Sequence, residues 1–347
     1  NDPFASNQQF ASSQSNDPFV SSQQSELNEM PLNIQQSAPP FIPNQPQDPA
    51  SVCSQNFTPQ NQSASASNLM VPKPVGLHDF GNTCFFNAAV QVLARVMPLT
   101  SFILSDQFQY QINRNNPNSS QGQIALSYRR FLEDLCNGSA DLNDLREAVI
   151  QKYNRFSNHA QHDSQELLLS LLDGLHEDMN QSFYVNGRNS PPEKLNESNG
   201  WDSYISHNSS PIVDIFNGAL YGSVICPDCG FIEKVYDPFI FLSIPIPRKF
   251  STVTLHDCLV NFSKREALDD GNEWRCDRCH QLVCADKQIG VEKCGKVLII
   301  YLKRFSGDGQ FMSKINTNVD YPDVLNVESF ASNDRGRFNL IGVVFHS

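Results

Sequence analysis

From Lys73 onward the apolar residues recur at regular spacings, and two periods are readable. Phe85, Ala89, Val92 and Val96 are spaced 4, 3 and 4, one face of a helix that Pro98 is expected to stop. Asp163 as N-cap with Glu166 three residues on is a capping-box arrangement and predicts a second helix. It continues through Leu168, Leu171, Leu172 and Leu175, and the leucines from 167 to 175 read as core packing. Later segments change to strand character: Val235 to Ile246, Lys296 to Arg304 (KVLIIYLKR) and Phe338 to Phe345 (FNLIGVVF). Helices early and strands late predict an α+β fold rather than alternating βαβ units. The polar stretch 181–211, with Pro191-Pro192, reads as a loop or insertion.

Residues 1–72 show neither period. They hold 12 Gln, 9 Asn, 13 Ser and 10 Pro, and no Lys or Arg precedes Lys73. Such a segment cannot bury enough apolar surface to offset its ordering entropy, so a disordered tail over 1–72 and a globular domain over 73–347 are expected. Within the tail, Asn1-Asp2-Pro3-Phe4 recurs as Asn16-Asp17-Pro18-Phe19. The repeat is either chance in a biased composition or a short linear motif in which Asp-Pro presents a Phe to a pocket. Asp-Pro-Phe resembles the peptides bound by appendage domains of clathrin adaptors, which makes such a domain a candidate partner.

The 347 residues carry 25 Lys and Arg against 37 Asp and Glu, a formal net charge of −12. That balance argues against a nucleic-acid partner, which needs cations to displace counterions, and it suits a basic protein or peptide substrate. No apolar run of about 18 residues predicts a membrane span. No basic-then-apolar leader opens the chain, so a cytoplasmic location is expected, with the nucleus left open. The first residue is Asn1, not Met, which suggests a fragment or processed product.

Gly76-Leu77-His78-Asp79-Phe80-Gly81-Asn82-Thr83-Cys84 leads a glycine-containing loop into the first helix. The helix dipole and the unpaired N–H groups of a first turn favour a thiolate there and can hold an oxyanion formed by attack on a carbonyl. Position alone does not separate a nucleophile from an inert buried thiol. The surrounding text does: GLHDFGNTCFFNAAVQVL resembles the cysteine box of the ubiquitin-specific proteases, a papain-like family of deubiquitinases. QHDSQELLLSLLDGLHEDMN (161–180), IVDIFNGALYGSVICPDCG (212–230), EWRCDRCH (273–280), KVLIIYLKRF (296–305) and FNLIGVVFHS (338–347) resemble its later boxes in the family's order. The resemblance spans roughly 75–347. It implies a papain-like fold of fingers, palm and thumb, in which Cys84 attacks the carbonyl of ubiquitin's terminal glycine.

Two departures bear on activity. The family's Asn five residues before the nucleophile helps to bind the oxyanion; here that position is Asp79, whose carboxylate opposes such an anion unless protonated or turned away. Backbone donors around Asn82 to Cys84 remain, so slower chemistry is expected, since one lost donor costs about 10²–10³ in rate. Second, the family's base lies in a Gly-His-Tyr motif several residues beyond the position that His346 resembles, and the sequence ends at Ser347. His159, His162 and His280 read as polar neighbours rather than replacements. Little or no activity is therefore expected of this chain alone, and a ubiquitin-binding pseudoenzyme or scaffold is the competing class.

Of the ten cysteines, Cys226/Cys229 and Cys276/Cys279 form two C-x-x-C pairs 46 residues apart. In a reducing compartment such pairs are metal ligands or redox groups. Neither pair has the βαβ setting of a redox motif, and four thiolates complete a closed, structural Zn²⁺ site. The resemblance also assigns structural zinc here. It further implies that Gln161 and Asp163 grip the basic tail of ubiquitin, whose terminal segment carries two arginines; carboxylate–guanidinium pairs suit that task. The alternative for Asp163 and Glu166 is plain helix capping. The usual second Gln of this box is His162 here.

Overall fold

The computed structural model describes residues 70–158, 160–182, 200–247, 251–268, 271–306, 313–328, 330–332 and 336–345, without side chains at 200–203 and 306. All of the expected tail but its last three residues lies outside them. The start of the globular part is anchored: Arg95 donates to the carbonyls of Pro72 and Lys73, and Lys73 N–H donates to Leu135 O at 3.1 Å.

Helix α1 (Cys84–Leu93) buries Phe85, Phe86, Ala89, Val90 and Leu93. Pro98 does not end it. The chain turns at Ala94–Val96, and Pro98 occupies the first turn of α2 (Met97–Ile103). There its missing N–H costs nothing and its fixed φ is already helical. After α3 (Phe108–Gln111), helix α4 (Gln123–Asn137) is bounded by Gly122 and Gly138, both left-handed, at φ 85 and 91. Then come α5 (Asn143–Lys152), a 3-10 turn (Asn154–Phe156) and α6 (Ser164–Met179), which is the spine of the helical core.

The leucines of α6 pack as expected, yet its C-terminal half also buries Asp173, His176, Glu177 and Asp178. Asp178 accepts from the N–H groups of Ser120 (2.7 Å), Gly122 (3.2 Å) and Ala125 (3.0 Å). Gly122 offers no side chain to cap α4, so a carboxylate from another helix does it.

The stretch 181–211 is not all loop. It contains α7 (Gly200–His207), and Ser210 caps α8 (Pro211–Phe216) by accepting from Val213 N–H. A four-stranded antiparallel sheet follows, in the order β2 (Ile232–Phe239), β1 (Gly218–Ile225), β8 (Asp286–Lys293), β5 (Glu266–Ala267). The single strand expected over Val235–Ile246 is two. The chain leaves β2 at Phe239, and β3 (Phe241–Pro245) pairs in parallel with β9 (Ile299–Lys303). This pair is the wall between two cores: Phe241, Ile299 and Tyr301 face the helices, whereas Leu242, Ile244, Ile300 and Leu302 face a second core with α9 (Leu255–Phe262). A half-buried strand that packs on both faces explains the unbroken apolar run KVLIIYL.

Shorter pairs complete the chain: β4 (Thr252–Thr254) with β12 (Asn318–Asp320), β6 (Trp274–Arg275) with β7 (Leu282–Val283), β10 (Phe305–Ser306) with β11 (Ser313–Lys314), and β13 (Val324–Asn326) with β14 (Arg337–Asn339). The strand expected over 338–345 is thus paired only as far as Asn339. Beyond it Leu340 N–H bonds to Asp323 O, and Ile341, Val343, Val344 and Phe345 are exposed. An apolar run becomes a strand only where a neighbour satisfies its backbone, and no further ladder meets it among the described residues. The α+β expectation holds. No single described helix is long and apolar enough to cross a membrane.

Candidate active site and metal cluster

The loop before α1 is organised by Asp79. Its Oδ1 accepts from Gly81 N–H (2.9 Å), Thr83 Oγ1 (2.9 Å) and, more weakly, Thr83 N–H (3.4 Å). These bonds, the Thr83 hydroxyl first, hold the Asp79 carboxyl below its ordinary value. The carboxylate is therefore ionised, with Oδ1 turned into its own loop. The bonds also close a backbone with two successive left-handed residues, Gly81 (φ 86) and Asn82 (φ 55).

Thr83, at the N-cap, spends its hydroxyl on Asp79 and on the N–H of Phe80 (3.1 Å), and it makes no side-chain cap to α1. The first-turn amides of α1 are thus left without a capping side chain, as an anion-binding turn requires. Cys84 is exposed at that turn, and its sulfur has no hydrogen-bond partner among the described residues.

The start of α6 lies alongside. Asp163 is the N-cap, with Oδ1 accepting from Gln165 N–H at 2.8 Å. Its Oδ2 accepts from Tyr301 Oη at 3.3 Å, a partner on β9 that no sequence spacing indicated. Burial first, and then the Asp163 charge, push the Tyr301 phenol up to about 12. Glu166 does not complete the capping box. It pairs with Arg155 at 3.4 Å, and the Asp163 cap goes to the N–H of Gln165 rather than of Glu166, so a simple N-cap forms in place of the box. Gln161 is exposed and makes no hydrogen bond among the described residues.

His162 joins the two helix starts. Its ring lies 5.2 Å from those of both Phe85 and Phe156, and Nε2 meets Asn158 Oδ1 at 2.7 Å. The structure therefore brings Cys84, Asp79, Asn82, His162 and Asp163 into one neighbourhood. His159 and His346 lie outside the described residues, and His280 lies in the turn of the second cysteine knuckle, away from this site.

At the end of the four-stranded sheet the sulfurs of Cys226, Cys229, Cys276 and Cys279 lie within 4.8 Å of one another. Cys226–Cys279 is 3.8 Å and Cys229–Cys276 is 3.6 Å. A tetrahedron of sulfurs about 2.3 Å from a central ion has edges of about 3.8 Å, so the donor set fits a metal ion. The nine described cysteines are all free thiols. Four thiols this close cannot ionise independently. Desolvation opposes ionisation of Cys276, but the N–H groups of Cys279 and Arg278 outweigh it and bring the thiol to about 7. The Phe231 N–H favours ionisation of Cys229, yet desolvation and the neighbouring sulfurs push it to about 12.

The two knuckles repeat one geometry. Cys226 N–H bonds to Phe231 O and Gly230 N–H to Cys226 O; Cys276 N–H bonds to Gln281 O and His280 N–H to Cys276 O. The left-handed residue is Gly230 (φ 68) in one and His280 (φ 60) in the other. Trp274, 1% exposed, stacks on Phe231 with ring centroids 6.4 Å apart and roofs the cluster.

A family model described as ubiquitin carboxyl-terminal hydrolase matches residues 75–347. The chain is 31% identical over 303 residues to ubiquitin carboxyl-terminal hydrolase 4 of Eremothecium gossypii, covering 79% of this chain and 34% of that protein. It is 34% identical over 290 residues to ubiquitin carboxyl-terminal hydrolase 2 of Rattus norvegicus, covering 78% and 46%. It thus spans between a third and a half of the length of these relatives. Among solved structures, the SAGA Ubp8/Sgf11/Sus1/Sgf73 DUB module bound to ubiquitin aldehyde matches with a TM-score of 0.59 at 21% identity, over 77% of this chain and 55% of that one. The same module bound to monoubiquitin gives 0.60 at 21%, over 77% and 56%. At that identity the likeness is one of fold.

Proposed function

Because the chain belongs to the ubiquitin carboxyl-terminal hydrolase family, we propose that it carries the nucleophile half of a cysteine deubiquitinase site, with Cys84 as nucleophile and ubiquitin as substrate. The observation that carries this reading is an exposed thiol on the uncapped first turn of α1, beside the α6 start that presents Asp163. The Cys84 thiolate attacks the carbonyl carbon of ubiquitin's terminal glycine, and backbone amides at the start of α1, that of Cys84 among them, receive the oxyanion. The carbon–nitrogen bond then breaks, the lysine amine leaves with a proton, and water splits the thioester to a carboxylate and the free thiol. Gln161 and Asp163 hold the arginines of the ubiquitin tail, and Tyr301 keeps the Asp163 carboxylate oriented. By the family resemblance the proton carrier is the histidine of a Gly-His-Tyr motif, and we propose that the protein acts in the cytoplasm.

The test is ubiquitin bearing a C-terminal electrophile, added to the full-length protein. A covalent adduct that disappears in Cys84→Ser supports the protease; no adduct with the wild type refutes it. A second reading, an impaired ubiquitin-binding scaffold, is favoured by the ionised Asp79, and binding of ubiquitin without any adduct would select it.

The metal held by Cys226, Cys229, Cys276 and Cys279 is proposed to be Zn²⁺. Four thiolates leave no open position, so its role is to staple the sheet end rather than to catalyse. For the tail, the Asp-Pro-Phe repeats are proposed to engage an adaptor appendage. Capture of such a domain by residues 1–30, unchanged by Phe4→Ala with Phe19→Ala, would dispose of that.

A further inference from the structure

Beside the nucleophile loop lies a shallow recess, open to solvent, walled by Asn82, Thr83, Phe85, Phe156, Asn158 and Arg146 among others. Three of its walls are braced: His162 lies against Phe85 and Phe156 and is hydrogen-bonded to Asn158. Arg146, on α5, is half-buried and has no ion pair or side-chain hydrogen bond among the described residues. The carboxylate two positions earlier, Asp144, is taken by Arg130 at 3.1 Å.

An unneutralised guanidinium beside aromatic rings, in a chain of net charge −12, suits a carboxylate on a short apolar stem. The ubiquitin tail is basic and is drawn to Asp163, so Arg146 repels it. The anion that fits must come from the other partner in the reaction. We propose that this recess is a leaving-side subsite, which accepts an acidic side chain of the ubiquitinated protein close to the modified lysine. The inference rests on the protease reading above and adds a substrate preference to it.

The experiment uses the full-length protein and peptides bearing ubiquitin on a lysine, with Glu, Gln or Lys one to three residues from that lysine. The Glu peptide is expected to have a kcat/KM up to about fivefold above the Gln peptide, with the gap shrinking as salt rises. Arg146→Ala is expected to erase the ratio and Arg146→Glu to invert it in favour of Lys. Equal rates for the three peptides in the wild type, or a Glu preference that survives Arg146→Ala, would overturn the subsite. Ubiquitin carrying a small fluorogenic leaving group separates the two failures. If the wild type cleaves it while the peptides show no preference, only the subsite is lost; if the wild type does not cleave it, the protease reading is lost as well.

Discussion

Lowering the pH should weaken this domain well before its carboxylates titrate, through one histidine. His176 is fully buried in α6, with Nδ1 against Ser210 Oγ at 2.7 Å and Nε2 3.4 Å from Asn180 Nδ2. Burial, reinforced by the charge of Lys152, pushes its pKa from the ordinary 6.5 down to about 4, against a small opposing effect from Asn208. Glu177 lies 4.0 Å from Nε2 but is engaged by Asn116 at 2.6 Å, so it does not rescue the imidazolium. The folded pKa is depressed, so below pH 6.5 the unfolded chain binds the proton that the folded chain refuses. Stability is complete above 6.5 and falls as pH drops towards 4. At 1.36 kcal/mol per pH unit the full loss is about 3 kcal/mol, with about 2 kcal/mol of it between pH 6.5 and 5, above the range of most carboxylates. Urea unfolding at half-unit steps from pH 7.5 to 5 measures this directly. His176→Gln should be less stable at pH 7 but should lose most of the slope. A wild-type profile flat within 0.5 kcal/mol over that window, or an equal slope in the variant, would refute the argument.

Four further outcomes are expected. In Asp79→Asn the amide oxygen can take over the three bonds accepted by Oδ1, and the nitrogen replaces an Oδ2 that has no partner among the described residues; kcat of the full-length enzyme should rise, by up to about 10²-fold if the new donor reaches the oxyanion, and an unchanged kcat would sink the oxyanion argument. Chelation, or Cys276→Ser, should red-shift the emission of the buried Trp274 and lower Tm by about 2–4 °C for each kcal/mol lost; a spectrum and Tm indifferent to chelator would show that no metal staples the knuckles. Tyr128→Phe should be neutral or stabilising by about 1 kcal/mol, because the Tyr128 hydroxyl is buried without a hydrogen bond among the described residues; denaturant unfolding showing a loss above 1 kcal/mol would mean that a water satisfies it. His280→Gly should raise stability by up to about 1 kcal/mol, since a left-handed non-glycine residue stands where the sister knuckle has Gly230; a lower Tm for the variant would show that the exposed imidazole contributes to the fold.

The parts of the site that were legible in the sequence are those set by local chemistry. A thiol after a glycine loop at a helix start, an Asp that caps α6, and two C-x-x-C knuckles each owe their form to neighbours within a few residues. So does the apolar face of α6, whereas that of α1 runs through Phe86, Val90 and Leu93 as well as Phe85 and Ala89, with Val92 half-buried and Val96 in the turn beyond the helix. Boundaries were less legible where two local rules compete. Pro98 both breaks and begins helices, and only the turn at Ala94 decides which. The apolar text from Val235 to Ile246 reads as one strand because periodicity does not register that the chain changes sheets after Phe239.

What the sequence alone determined is the inventory: which residues can be nucleophile, cap, ligand and core, and the α+β order in which they come. What only the tertiary structure decided is which of them meet. The Tyr301–Asp163 bond spans 138 positions and Asp178 caps a helix 53 residues upstream of it. The ionised, inward-turned Asp79 became visible only when its loop closed. Hydrogen bonds and ion pairs act over a few ångströms of space. Their energies depend on burial and orientation, which a linear pattern encodes only where the partner is also near in the chain.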